Sequence, residues 1–304
     1  MVKNILSTIF QQASQGDLSP LLQELTRVRK LHAQVVLYGS PTGPNWLGIA
    51  HATQGLYPEN SIEIPQQFSQ CLLNPKEQNA CIQAIKALQF ESVLISGFAP
   101  YFIDWIEALS GHVAIRVLYH GTISEWHDAK HQALIGKMIQ LGKQGAIQEF
   151  RCVKKGLDHV FRTLYNLPAV HQPLSDPILP EGLQKLQLDR SKIHVGIFGS
   201  NTFNKNLHNQ VVHTLMLPNT VAHVLDSTLF DYLAMPDRIV GHGTDLKREA
   251  FLGILGSMDL NLYLSFNESW GLVTKESVLL GVPVLGPQDL DYLQQITSAI
   301  ETEK

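Results

Sequence analysis

Short β-type runs alternating with helix-length segments are the feature that most limits how this chain can fold. In the first half the runs are "AQVVLYGS" (33–40), "NSIEIP" (60–65), "SVLISGF" (92–98) and "VAIRVLYHG" (113–121). Between them lie helix-type segments such as "NPKEQNACIQAIKALQF" (74–90), with Asn74 placed as its cap, and "APYFIDWIEALSG". Strands this apolar, alternating with helices, predict parallel sheets covered on both faces. Residues 1–32 read as helical with a break at "QGDLSP", and 125–165 as mostly helical. "NLPAVHQPLSDPILPEG" (166–182) then gathers prolines without periodicity, and proline disfavours both helix and strand pairing, so a linker is expected there. A second alternating set follows: "IHVGIFGS" (193–200), "VAHVLD" (221–226), "DRIVGHG" (237–243), "LNLYLSF" (260–266) and "VPVLGP" (282–287). The expectation is two Rossmann-like α/β domains, 1–178 and 179–304.

Composition excludes several classes. The net charge of −4 gives no basic footprint for nucleic acid. The three cysteines, Cys71, Cys81 and Cys152, are widely spaced and fit a reducing compartment and no zinc motif. No 18 apolar residues run together, so no transmembrane segment is expected. The opening "MVKNILSTIFQQ" lacks a signal-peptide pattern and reads as the first turns of a helix, which makes cytoplasmic the default. "RCVKKGLDHVFRT" (151–163) reads as a basic helix face, solvated or in peripheral contact with anionic lipid or an acidic acceptor.

"SFNESWGLVTKESVLLGVPVLGP" (265–287) carries two acids eight positions apart, Glu268 and Glu276, in a segment otherwise built for burial. Ligands of open α/β sheets bind beyond the carboxyl ends of the strands, and Glu268 falls two residues past such an end. A helix beginning near Trp270–Gly271, with Ser269 as its N-cap, would point its free amides at that place and attract phosphate. Carboxylates flanking it suit a hydroxyl-rich ligand, since each can accept bonds from vicinal hydroxyls.

The same stretch resembles the glutamate–seven–glutamate signature of retaining GT-B glycosyltransferases of the family four (glycosyl transferases group 1) type. Ser265, Glu268, Trp270, Gly271, Leu272, Glu276, Gly281, Pro283 and Val284 fall in register, with Ser277 where alanine is usual. "VGHGTDLKREAFLGILGSMDLNLYLSF" before it is similar to the strand, helix and strand that lead into the signature. The resemblance implies a GT-B fold, two Rossmann-like domains with mainly parallel sheets facing across a cleft. The first would be the acceptor side and the second the nucleotide-sugar side. It implies that Glu268 meets the donor sugar's hydroxyls, that Glu276 meets the ribose, and that the amides of Gly271, Leu272 and Val273 face the diphosphate.

In "GIFGSNTFNKNLHNQ", Lys205 and Asn206 match the family's Lys-Asn pair, which neutralises the leaving diphosphate, a large term in such reactions. The arginine usual upstream is replaced by Ser200, so half the positive charge is missing unless Arg248 or Lys247 supplies it. His120, directly after "VLY", matches a strand-end histidine that hydrogen-bonds the sugar. His112 and His127 are less well placed. The loop "GSPTGPNW", with Gly39 and Gly43, reads either as a glycine loop near the donor phosphate or as a tight turn. His127 and His131 have helical spacing around Asp128 but lack the HExxH pattern, so no metal is expected. No cofactor is implied.

The resemblance is carried by 193–287 and only thinly by the first half, and the chain ends soon after the Gly-x-Pro-Val strand, leaving room for one helix in "QDLDYLQQITSAIETEK". The expected function is metal-independent, retaining transfer of a hexosyl group from a UDP-, GDP- or ADP-sugar to an unidentified acceptor. The rival is a non-catalytic GT-B scaffold that binds a nucleotide or a partner protein. A GT-B epimerase or phosphorylase is a third possibility, but no phosphate or pyridoxal phosphate site for the latter is evident.

Overall fold

A computed structural model describes residues 17–40, 44–67 and 70–287. The helix expected at the extreme N-terminus, Gly43, and the C-terminal segment from Gln288 lie outside the described residues. The chain divides into two compact units, Met1–Ser175 and Asp176–Lys304.

In the first unit, α1 (Ser19–Leu31) leads to β1 (Gln34–Gly39), α2 (Pro44–Leu56) and β2 (Ser61–Ile64). A small antiparallel pair, β3 (Gln66–Gln67) and β4 (Gln70–Cys71), precedes α3 (Pro75–Leu88). Asn74 starts α3 with a full capping box: its side chain accepts from the amides of Lys76 and Glu77, and Glu77 accepts from the Asn74 amide at 2.7 Å. Then come β5 (Ser92–Ser96), α4 (Phe102–Leu109), β6 (Ala114–Tyr119), α5 (Ala129–Lys143), β7 (Glu149–Cys152), α6 (Leu157–Tyr165) and β8 (Ala169–His171). The large sheet runs β2-β1-β5-β6-β7-β8 with every pairing parallel. Its central strands are largely buried, β5 at every position, with Val35, Leu37, Val93, Ile95, Ile115 and Val117 in one core with Phe102, Trp105 and Phe161.

Two strands lie where helix and linker were expected. β7 sits inside 125–165, and β8 inside the proline-rich segment. Pro168 stands just before β8 and costs the sheet nothing there, because its carbonyl still accepts from Phe150 N at 2.9 Å and β8 is an edge strand. The basic segment 151–163 is therefore split. Arg151 is on a strand, bonded to Glu149 at 2.8 Å, and Arg162 on α6 pairs with Asp158 at 2.7 Å.

The second unit holds β9 (Ile193–Ile197), α7 (Leu207–Met216), β10 (Thr220–Val224), β11 (Ile239–Gly241), α8 (Arg248–Leu255), β12 (Leu260–Leu262), α9 (Leu272–Leu279) and β13 (Val284–Leu285). Its sheet, β11-β10-β9-β12-β13, is wholly parallel. Counted within the unit this is order 3-2-1-4-5, so the winding reverses between β9 and β12. Ligands of such sheets bind at that reversal, outside the carboxyl ends of the strands. Both sheets are Rossmann-like, and the architecture is of the GT-B type.

β12 is shorter than the run 260–266 suggested. Tyr263 N still donates to Leu285 O at 2.8 Å, and beyond it the chain leaves the ladder because other partners take its amides: Leu264 N donates to the Gln210 side chain at 2.8 Å and Phe266 N to the carbonyl of Asn204 at 2.8 Å. The ends of the loops after β9 and β12 are thereby tied together at the reversal point.

Candidate functional site

Lys205 closes a single 3-10 turn, Phe203–Lys205, in the loop after β9. Its ammonium donates to Glu268 Oε1 at 2.5 Å and to the Tyr263 hydroxyl at 2.9 Å. Glu268 comes from the loop after β12 and is only 6% exposed. The two residues singled out from separate motifs thus form one ion pair across the reversal point. Burial works against the ammonium, but Tyr263 and Glu268 outweigh it and hold Lys205 above the ordinary lysine range. Burial, and then the Glu268 charge, push the Tyr263 phenol up to about 12, so Tyr263 is neutral. An ammonium has three N–H donors, two of which are engaged here, which leaves one for a ligand.

Glu276 lies on α9 and is 1% exposed. Its Oε1 accepts from Arg248 Nη2 at 2.5 Å. Burial raises the pKa of the carboxyl, with Arg248 opposing the rise. Arg248, the first residue of α8, is thus committed to Glu276, so the described residues of the unit carry two cation–glutamate pairs.

The helix start differs from expectation. Ser269 does not cap α9; Gly271 is the N-cap, with φ 66° in the left-handed region that favours glycine. Leu272 and Val273 stand in the first turn, ahead of the first backbone bonds, which run from the amides of Thr274 and Lys275 to Gly271 O at 3.0 and 3.1 Å. Their N–H groups are those a helix start presents to an anion. Ser277, where alanine is usual, is fully buried, donates to Val273 O at 2.7 Å and accepts from Asn261 Nδ2 at 3.1 Å, which ties α9 to β12. Lys275 pairs with Asp176, and its ammonium lies 4.3 Å from the centre of the Trp270 ring.

Ser200 is half-buried, its Oγ 3.3 Å from Thr202 Oγ1, in a loop bonded to itself. Asn206, at φ 52°, donates to Leu264 O at 3.3 Å and accepts from Asn209 at 2.6 Å. Sequence reasoning missed Tyr263 and Gln210. Buried Gln210 donates to the carbonyl of Lys205 at 2.8 Å while accepting from Leu264 N. A polar residue among the apolar positions of α7 was the available signal. For Tyr263 the run 260–266 hid it by reading as strand throughout.

His120 belongs to the first unit and follows β6 directly. The residue is partly exposed, and its Nε2 lies 2.9 Å from Ser96 Oγ. Burial pushes its pKa down to about 4, so it is neutral near pH 7. His112 is exposed in a turn, and the side chain of His127 lies outside the described residues. Asp128 caps α5 through the amides of Lys130 and His131, which accounts for it structurally. Gly39 closes β1 against the Gln66 side chain, which occupies the space a Cβ would need. Among the described residues no three His, Cys, Asp or Glu side chains gather as a metal would require.

A second polar network crosses the sheet of the second unit. His194 Nε2 lies 2.9 Å from the Asp189 carbonyl, His194 Nδ1 lies 2.8 Å from His223 Nε2, and His223 Nδ1 lies 2.8 Å from His242 Nε2. Burial, then the neighbouring His242 and His194, lower His223 to about 4.

No protein-family model matches the sequence, and no curated protein matches it. Solved structures do. HepE of Anabaena in complex with UDP and glucose is 12% identical, with a TM-score of 0.60 over 86% of this chain and 83% of that one. WaaG, a glycosyltransferase involved in lipopolysaccharide biosynthesis, is 12% identical, with a TM-score of 0.56 over 87% and 84%. Sucrose-phosphate synthase from Thermosynechococcus elongatus is 12% identical, with a TM-score of 0.55 over 83% and 81%. At this identity the likeness is one of fold: each matches across both Rossmann-like units.

Proposed function

We propose that this protein is a retaining glycosyltransferase that takes a hexosyl group from a nucleoside diphosphate sugar, without a metal ion, and passes it to an acceptor. The observation that carries the reading is the Lys205–Glu268 pair at the winding reversal of the second unit. Glu268 accepts hydrogen bonds from the sugar's hydroxyls. The remaining Lys205 proton and the first amides of α9 meet the diphosphate, whose charge grows as the glycosidic bond breaks. Glu276, held by Arg248, offers its second oxygen to the ribose. Retention follows if the acceptor attacks from the face the leaving group vacates, within an ion pair. The Anabaena structure, which holds UDP and glucose on the same fold, supports a donor of this class.

With Ser200 in place of arginine and Arg248 bound to Glu276, this reading assigns the phosphates to Lys205, with Lys247, exposed at the start of α8, as the other candidate cation. That favours modest donor affinity. The test is incubation with UDP-, GDP- and ADP-sugars, following release of nucleoside diphosphate and the anomeric configuration of the product by proton NMR. Release with one donor, an axial product from an axial donor, and loss of both in Lys205→Met support the proposal. Binding of a donor without turnover against a broad acceptor panel would favour the scaffold instead.

A further inference from the structure

A short run of buried hydroxyls behind His120 decides which of its two nitrogens carries the proton. Thr53 on α2 and Ser96 at the end of β5 are both 0% exposed. Thr53 Oγ1 lies 2.6 Å from the carbonyl oxygen of Ile49 and 2.6 Å from Ser96 Oγ, and Ser96 Oγ lies 2.9 Å from His120 Nε2. Each hydroxyl has one proton to give. A carbonyl oxygen only accepts, and two oxygens this close without a hydrogen between them repel, so the Thr53 proton lies toward Ile49. Ser96 must then donate to Thr53, because Thr53 has nothing left to offer it. With its proton spent, Ser96 can only accept from the ring, so Nε2 of His120 bears the hydrogen. In a neutral imidazole the lone pair is then on Nδ1.

We infer that Thr53 and Ser96 are positioning residues that lock His120 as a fixed hydrogen-bond acceptor at Nδ1, matched to a hydroxyl of the substrate and opposed to a phosphate or carboxylate. The residue is partly exposed, and the ring's hydrogen bond among the described residues is the one to Ser96. A lone pair facing an anion repels it, whereas a hydroxyl can donate to it. The relay therefore favours a ligand hydroxyl over a ligand phosphate or carboxylate at this nitrogen.

The experiment is nitrogen-15 NMR of histidine-labelled protein, with long-range proton–nitrogen correlations assigned to His120 by its absence in His120→Gln. The wild type should show a pyridine-type Nδ1 and a pyrrole-type Nε2. Thr53→Val, nearly isosteric, takes away the acceptor for the Ser96 proton and leaves Ser96 free to donate to the ring. A form protonated at Nδ1 should then appear, whereas a merely structural Thr53 would leave the ring unchanged. A wild-type ring protonated at Nδ1, or a Thr53→Val ring identical to wild type, overturns the relay.

Discussion

Replacing Arg248 by methionine keeps most of the side-chain bulk and removes the charge from a pair whose carboxylate is 1% exposed. If Glu276 stayed ionised, the lone buried charge would cost about 3–5 kcal/mol. The carboxyl has a cheaper route, which is to take up a proton. From an ordinary value of 4.5, that costs about 1.4 kcal/mol for each pH unit above it. Near pH 7 the protonated route therefore costs about 3.4 kcal/mol, and near pH 5 about 0.7 kcal/mol. The sign follows from burial: a carboxyl whose folded pKa lies above its unfolded value loses stability as pH rises through that interval. Arg248→Met should thus lie roughly 10 °C below wild type in unfolding midpoint at neutral pH and only about 2 °C below it near pH 5. The assay is thermal unfolding of both proteins across that range, read as a difference so that titrations common to both cancel. A gap independent of pH would refute the reasoning, since lost packing alone carries no pH dependence. Arg248→Met combined with Glu276→Gln should close most of the neutral-pH gap.

Three further outcomes follow from the same geometry. Lys205→Met should lower turnover by a hundredfold or more at saturating donor, the order seen when one transition-state charge partner is removed, and Lys205→Arg should restore little because the pocket is shaped by Tyr263; steady-state kinetics decide it. Glu276→Ala should raise the KM for donor more than it lowers kcat, and normal donor affinity with abolished turnover would contradict the ribose role. His223 has a folded pKa lowered to about 4 from an ordinary 6.5, so it contributes stability that is present above 6.5 and lost as pH falls toward 4. His223→Gln should flatten that acid-side decline in unfolding midpoint, and an unchanged decline would assign it to other groups.

Much of the architecture was legible because buried parallel strands must be apolar along their whole length. "AQVVLYG" and "IHVGIFG" announce themselves, and Asn74 with Glu77 marks a helix start through local hydrogen bonds alone. β7 and β8 were not legible for the opposite reason. "EFRC" is short and half polar, and "AVH" follows a proline, so each pairs only because a neighbouring edge is offered. At the candidate site, Glu268 and Lys205 could be picked out, since charged residues at strand ends stand apart from an apolar context. Their contact with each other could not, because 63 positions separate them and only the sheet order joins them. Gln210 and the Thr53–Ser96 relay are polar groups inside regular elements, and Tyr263 falls just past β12 in a run that reads as strand; in such places one sequence shows no difference between a satisfied core residue and a positioning one. The Ser269 cap failed because Gly271, in a left-handed conformation, delays the helix to Leu272.

The central claim is that the winding reversal of the second unit binds a nucleoside diphosphate sugar through Lys205, Glu268 and Glu276. Isothermal titration with UDP-, GDP- and ADP-sugars, on the wild type and on Glu276→Gln, tests it most directly. The account predicts saturable one-to-one binding of one donor class by the wild type and at least a tenfold weaker constant for Glu276→Gln. No binding of any donor by a folded wild type, or equal binding by the variant, would contradict it.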